Sequence, residues 1–169
     1  MMSRLLLLFT LLTTLPGGAL ARGAADVLAG MHGQWQGRGV VREKPSAPKE
    51  AVVCSFQGRW ERIRNTLHVR YLCFGADSRF ETSGTLRVRG RKVFSDLLMH
   101  DRGHVSGSGR VASGKVLLSF AGKDDKGRRL RAQLTLSRSG GNRLRSVLRA
   151  TDPDSGKMFT AFTLSLKRK

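Results

Sequence analysis

The chain is short of acid, cysteine and helix. Asp and Glu number 12 against 31 Lys and Arg, for a formal charge of +19. An imbalance of that size points either to an anionic partner or to a heavily solvated basic surface. Two cysteines are too few for a Cys-rich zinc module. Gly takes 20 positions and Leu keeps no heptad rhythm, which excludes a coiled coil. Hydrophobic residues still make up 40% of 169 residues, enough to bury the core of one domain and to exclude compositional disorder.

The one long apolar run is an address. Arg4 precedes Leu5 to Leu12, Pro16-Gly17-Gly18 breaks any helix, and Ala19-Leu20-Ala21 places small residues where a signal peptidase reads. The run is too short to anchor across a bilayer of about 30 Å. Residues 1–21 are therefore expected to be a cleaved signal peptide, which in a bacterium means the periplasm or beyond. Residues 22–32 form a lead-in with room for a short helix near Asp26 to Met31, and residues 33–169 form a single β domain.

From Gly33 onward the hydrophobic period is two. Phe80, Thr82, Gly84, Leu86 and Val88 share one face, against Arg79, Glu81, Thr85, Arg87 and Arg89. Val116, Leu118 and Phe120 repeat the pattern, as do Leu130, Ala132, Leu134 and Leu136. The last run puts Met158, Thr160, Phe162, Leu164 and Leu166 on one face. Turn signals such as Gly90, Ser113-Gly114, Ser139-Gly140-Gly141-Asn142 and Asp152 to Gly156 separate these runs. The spacing predicts an all-β, antiparallel up-and-down meander of about 8–10 strands, closed into a barrel because closure removes both exposed edges. The polar faces of many strands carry Arg, including Arg59, Arg70, Arg110 and Arg131. Arg at mid-membrane on a lipid-facing barrel costs about 2–4 kcal/mol. The barrel is thus expected to be water-soluble and apolar inside.

A hairpin turning about Arg62 to Asn65 sets Cys54 opposite Cys73, Phe56 opposite Tyr71 and Trp60 opposite Leu67. Directly opposed cysteines in an exported protein oxidise, and a disulfide closing such a loop stabilises by roughly 3 kcal/mol on the chain-entropy account. No His or acid shares that face, so a metal or nucleophilic thiol pair is not expected.

Gly33-Gln34-Trp35, followed by Gly37 and Gly39, resembles the opening of calycin-like barrels. Lipocalins carry a glycine–any–tryptophan signature on their first strand, and nitrobindin-type barrels open with a W-x-G-x-G run. The resemblance implies a barrel that holds a small hydrophobic ligand, or haem in the nitrobindin-like case. The chain departs from both patterns. Thr151-Asp152-Pro153 stands where no T-D-Y motif is found, and the run Met158 to Leu166 has no histidine for a proximal haem ligand, so no cofactor is expected. Trp35 then reads as a plug at one barrel end or as the floor of a pocket, with Gly37 and Gly39 letting the strand bend. Inward glycines at Gly58, Gly84, Gly107 and Gly109 mean either tight coiling of the sheet or room left for a ligand.

Catalytic signals are sparse. His100 and His104 are four apart, a spacing that converges on a metal only in a helix, and Gly103 makes this a hairpin turn. Gly107-Ser108-Gly109 is followed by neither Lys-Ser/Thr nor a helix. Ser46-Ala47-Pro48-Lys49 spells S-x-x-K between prolines, where a catalytic helix cannot form. No acid/base dyad stands out. The protein is expected to be a non-enzymatic binding protein with no metal. Its leading functional surface is basic: pairing about Gly140 would set Arg131 opposite Arg149 and Thr135 opposite Arg145, beside Arg128 and Arg129. Like charges opposed across a sheet are unfavourable and an anion relieves them. The partners expected are anionic envelope components, whether lipid phosphate, lipopolysaccharide or acidic polysaccharide, through peripheral contact with a membrane rather than by spanning it. Nucleic acid is not expected, because export argues against it and the polar faces lack interleaved aromatics. Two other readings are a carrier of a small hydrophobic ligand inside the barrel and an inhibitor of an acidic exported hydrolase.

Overall fold

The computed structural model describes residues 23–100, 103–123 and 126–169; the expected signal peptide, residues 1–21, lies outside them. A single turn and a half of helix, α1 (Ala24–Ala29), precedes ten strands: β1 (Gly33–Val41), β2 (Glu50–Glu61), β3 (Thr66–Phe74), β4 (Arg79–Arg89), β5 (Lys92–Met99), β6 (Gly103–Ala112), β7 (Lys115–Lys123), β8 (Arg129–Ser139), β9 (Arg143–Thr151) and β10 (Met158–Arg168). Each strand pairs antiparallel with its sequence neighbours, and β1 pairs with β10 to close the barrel. Alternation explains why. Most strands offer the core an apolar residue or a glycine at every second position, with Thr82, Ser95 and Ser146 as polar exceptions, and short links favour the hairpin.

The predicted β2–β3 hairpin forms with Cys54 facing Cys73, Phe56 facing Tyr71 and Trp60 facing Leu67. The two cysteines form a disulfide across Cα atoms 4.1 Å apart. The β8–β9 hairpin departs from expectation. Its loop is Gly140-Gly141-Asn142, with both glycines at positive φ (57° and 77°), so Ser139 faces Arg143. The register slips by two residues from the expected pairing: Arg149 faces Gln133 and Arg145 faces Ser137. In β10 a bulge at Ala161 shifts the phase, so Phe159 and not Thr160 turns inward.

The inward glycines serve close approach. A Cβ at Gly37, Gly39 or Gly109 would run into a main-chain carbonyl of the neighbouring strand, and one at Gly107 would meet the Phe120 ring at 2.5 Å. These strands coil tightly, and the space at the glycines is already taken.

Candidate functional site

The two ends of the barrel differ. At one end α1 and the turn after it sit over the opening, and Val27, Leu28 and Met31 join Trp35, Leu67, Leu86, Val93, Val116, Leu136, Leu144 and Leu166 in a fully buried cluster. Trp35 is 0% exposed and its indole N–H donates to the Met31 carbonyl at 3.1 Å. Gly58 permits this, since a Cβ there would strike the Met31 main chain. The Gly30 carbonyl accepts from the guanidiniums of Arg138 and Arg168, the latter at 3.0 Å. This end is plugged.

At the opposite end, the mouth, Val52, Cys54 and Cys73 are buried on β2 and β3, but many inward positions of the other strands are only half-buried. Phe80, Met99, Val105, Phe120, Leu130, Ala132, Leu148, Ala150, Phe159 and Phe162 all retain partial exposure. An inward-facing side chain of a closed sheet can be exposed only to the lumen, so the barrel is open here. Register builds one feature of this half. Phe120 faces Ala132, Ala132 faces Ala150, and Ala150 faces Phe159, a continuous inward row over β7, β8, β9 and β10. Two methyl groups lie between two phenyl rings set three strand spacings apart, about 14 Å. The next row inward is Leu118, Leu134, Leu148 and Phe162. The result is an apolar notch with aromatic sides.

Tyr71 marks the boundary between the two halves. Its hydroxyl reaches across the lumen from β3 to the Ser146 hydroxyl on β9 at 2.9 Å, and its ring packs on Phe56 with centroids 4.6 Å apart. Desolvation pushes the phenol up to about 12, against a smaller opposing pull from the Ser146 hydrogen bond. Ser95, inward on β5 in the row of Gly107 and Phe120, buries its hydroxyl with no hydrogen-bond partner. At the mouth, just past β1, the Arg42 amide donates to the Ala161 carbonyl of the bulge at 2.7 Å, and the Arg42 Nε is buried and unpartnered.

The mouth loops are tied down by carboxylates. The Glu50 carboxylate accepts from the Asp77 amide at 3.0 Å and the Ser78 hydroxyl at 2.8 Å. Those bonds hold its carboxyl below the usual range, the Asp77 amide most of all. Asp152 accepts from the Ser155 hydroxyl and amide, and the Ser155 hydroxyl is the main reason its carboxyl is lowered. Arg128 bridges to Asp154 at 2.7 Å and donates to the Pro153 carbonyl.

The structure disperses the expected anion surface. Arg128 is committed to Asp154, Arg129 faces Lys123, and Arg131, Arg145 and Arg149 face Ala121, Ser137 and Gln133. No two of those five arginines are directly opposed. Trp35 lies in the plug, while Gly37 and Gly39 lie under the facing backbone of β10. The polar faces do carry aromatics: Phe94 and Phe74 are exposed on the outer sheet, within 5.8 and 5.6 Å of the guanidiniums of Arg89 and Arg79. Among the described residues no group of three or more His, Cys, Asp and Glu is placed to hold a metal. All four histidines lie off the lumen: His32 accepts from the Trp60 amide, His68 meets Glu61 at 3.0 Å, His104 lies near Asp96, and His100 is exposed past the end of β5. The lumen therefore offers no imidazole to a haem iron, and the residues present do not fit that group.

The fold has solved counterparts. The protein is similar to Rv2717c from M. tuberculosis, with a TM-score of 0.66 and 16% identity, over 86% of this chain and 97% of that one. It is also similar to the S-type phycobiliprotein lyase CPES from Guillardia theta, with a TM-score of 0.62 and 11% identity, over 88% and 93% of the two chains. At those identities the likeness is one of fold, and it agrees with the calycin-like barrel expected from Trp35 and the meander. No protein-family model matches the chain, and no curated protein sequence matches it. Among the described residues no helix is long and apolar enough to cross a membrane.

Proposed function

We propose that the protein is a non-catalytic carrier of a small apolar molecule, held in the open half of the barrel against the notch of Phe120, Ala132, Ala150 and Phe159. The observation that carries this reading is the contrast between the two ends. Most inward residues beneath the plug are buried, whereas those of β6 to β10 at the mouth are half-exposed. Apolar surface facing a lumen is where small ligands gain most from leaving water. The Arg42 guanidinium beside the bulge, its Nε buried and unpartnered, would favour an anionic end on the ligand. The signal peptide expected from the sequence and the disulfide together support a periplasmic or secreted location, since disulfides persist in oxidising compartments. The basic outer surface supports a second role toward anionic envelope components.

Native mass spectrometry of the protein purified from its own host, before and after organic extraction, tests the carrier reading. A bound mass lost on extraction, and absent from Ala150→Leu, is expected. A protein that leaves its host empty, and that takes up neither fatty acid nor an apolar fluorescent probe, would overturn it.

A further inference from the structure

Charge is unevenly placed along the barrel axis. Glu43, Glu50, Asp77, Glu81, Asp152 and Asp154 all belong to the mouth half. The carboxylates outside the mouth half are engaged locally, Asp26 with the Gly23 amide, Glu61 with His68 and Arg64, and Asp96, at mid-height on the outer face of β5, near His104 at 3.6 Å. Over one sector of the plugged end the cations stand together. Arg89 faces Lys92 across β4 and β5, and Lys92 faces Arg110 across β5 and β6, a row of three like charges on the outer sheet. Arg87 faces Phe94 in the adjacent pair, and Arg91 occupies the turn. Among the described residues no carboxylate pairs with any of these cations. Like charges opposed across a sheet are destabilising, so the row costs the free protein stability that an anionic surface would restore.

Apolar groups are set among them. Phe94 is 40% exposed and takes the Arg89 guanidinium over its ring. Ile63, at the tip of the β2–β3 hairpin between Arg62 and Arg64, is 95% exposed. That hairpin is fastened to β4 by the Val88 amide, which donates to the Asn65 carbonyl at 2.9 Å. On β5 and β6 a shallow depression is lined by Arg91, Lys92, Phe94, Ser108, Gly109 and Arg110.

We propose that this rim, from the β2–β3 tip across β4 to β6 at the plugged end, docks the protein on an anionic lipid bilayer. Cations meet the headgroup phosphates while Ile63 and Phe94 enter the interface. Electrostatic attraction combined with a small buried apolar area is the recipe for reversible surface binding. A soluble acidic polysaccharide would use the same cations but has no place for Ile63. Docking by the plugged end leaves the mouth facing water, free to exchange a ligand.

The test is partition of the purified protein onto vesicles of phosphatidylcholine with and without phosphatidylglycerol, at two ionic strengths. Binding is expected only with the anionic lipid, and weaker in high salt. Neutralising Arg89, Lys92 and Arg110 to Gln should cut partition on the order of 100-fold, at about fivefold per removed charge near the surface. Neutralising Lys44, Lys49 and Lys157 at the mouth removes the same charge and should change partition by less than about threefold, since surface attraction fades within a Debye length. Ile63→Ser, at a side chain that packs against nothing, should weaken vesicle binding several-fold while leaving binding to soluble polyphosphate unchanged. Equal losses from the two charge triples would overturn the proposal in favour of diffuse charge. Indifference of vesicle binding to Ile63→Ser would overturn it in favour of a soluble polyanion. Ligand content measured on the same variants separates this outcome from the carrier reading, which predicts no change in bound mass.

Discussion

The Arg168 guanidinium lies 4.5 Å from the centroid of the Trp35 ring, joining the last strand to the first at the seam that closes the barrel. The same guanidinium donates to the Gly30 carbonyl, so one side chain holds the seam and the plug together. Arg168→Gln is expected to destabilise by about 1–2 kcal/mol, from a lost cation–π contact and a lost charge-assisted hydrogen bond. Trp35→Ala should cost about 3–5 kcal/mol, because a fully buried aromatic leaves a cavity. A double-mutant cycle in urea checks the coupling, which should be near 1 kcal/mol; additive losses would show that the two residues act independently.

Tyr71 is the chain's only tyrosine, so its ionisation can be followed directly by ultraviolet absorbance. The native phenol should titrate at about 12, against 10 when unfolded. The folded pKa is the higher one, so the unfolded chain loses its proton first. The contribution to stability is complete below pH 10 and disappears as the pH rises toward 12. Tyr71→Phe should remove this alkaline dependence and cost about 1–2 kcal/mol at neutral pH, since it leaves the Ser146 hydroxyl without its partner. A native titration near 10 would place the phenol in water.

Acid should loosen the mouth. The Glu50 carboxyl is held below its ordinary 4.5 by the Asp77 amide and the Ser78 hydroxyl. A lowered folded pKa stabilises above the unfolded value, and the effect is lost as pH falls through the folded one. Thermal stability should therefore decline below about pH 4.5. Glu50→Gln should flatten part of that decline and raise amide exchange in residues 75–78, the turn that Glu50 closes.

Ser95 separates a structural from a ligand role by sign. Its hydroxyl is buried and unpartnered, so Ser95→Ala should leave the free protein as stable or more stable by about 1 kcal/mol. If ligand affinity falls in the same variant, the hydroxyl is a ligand contact. Unchanged affinity makes it a packing residue only.

Gly107 and Ala150 should behave oppositely. Gly107→Leu drives a side chain into the Phe120 ring and should unfold or severely destabilise the barrel. Ala150 retains exposure to the lumen, so Ala150→Leu should keep the melting temperature within a few degrees while blocking the notch. Denaturation and ligand uptake measured on both variants check this.

The sequence by itself determined the closed antiparallel meander and the faces of most of its strands. Alternation assigns inward and outward residues without reference to neighbours. It also determined the disulfide, because the hairpin turn and the face rule together leave Cys54 and Cys73 opposed. Pair register in the other hairpins was beyond it. A slip of two residues keeps every side chain on its own face, so the pattern reads identically whether Arg149 faces Arg131 or Gln133. The geometry of the Gly140-Gly141-Asn142 loop made that choice, and with it dispersed the arginines and aligned Ala132 with Ala150. The bulge at Ala161 lay equally out of reach, although a threonine assigned inward with Phe159 outward beside it was a trace of it. Tertiary structure alone decided which end is open, because α1 covers one rim only, and Gly58 and the carbonyl of Gly30 acquire meaning when residues distant in sequence meet over them.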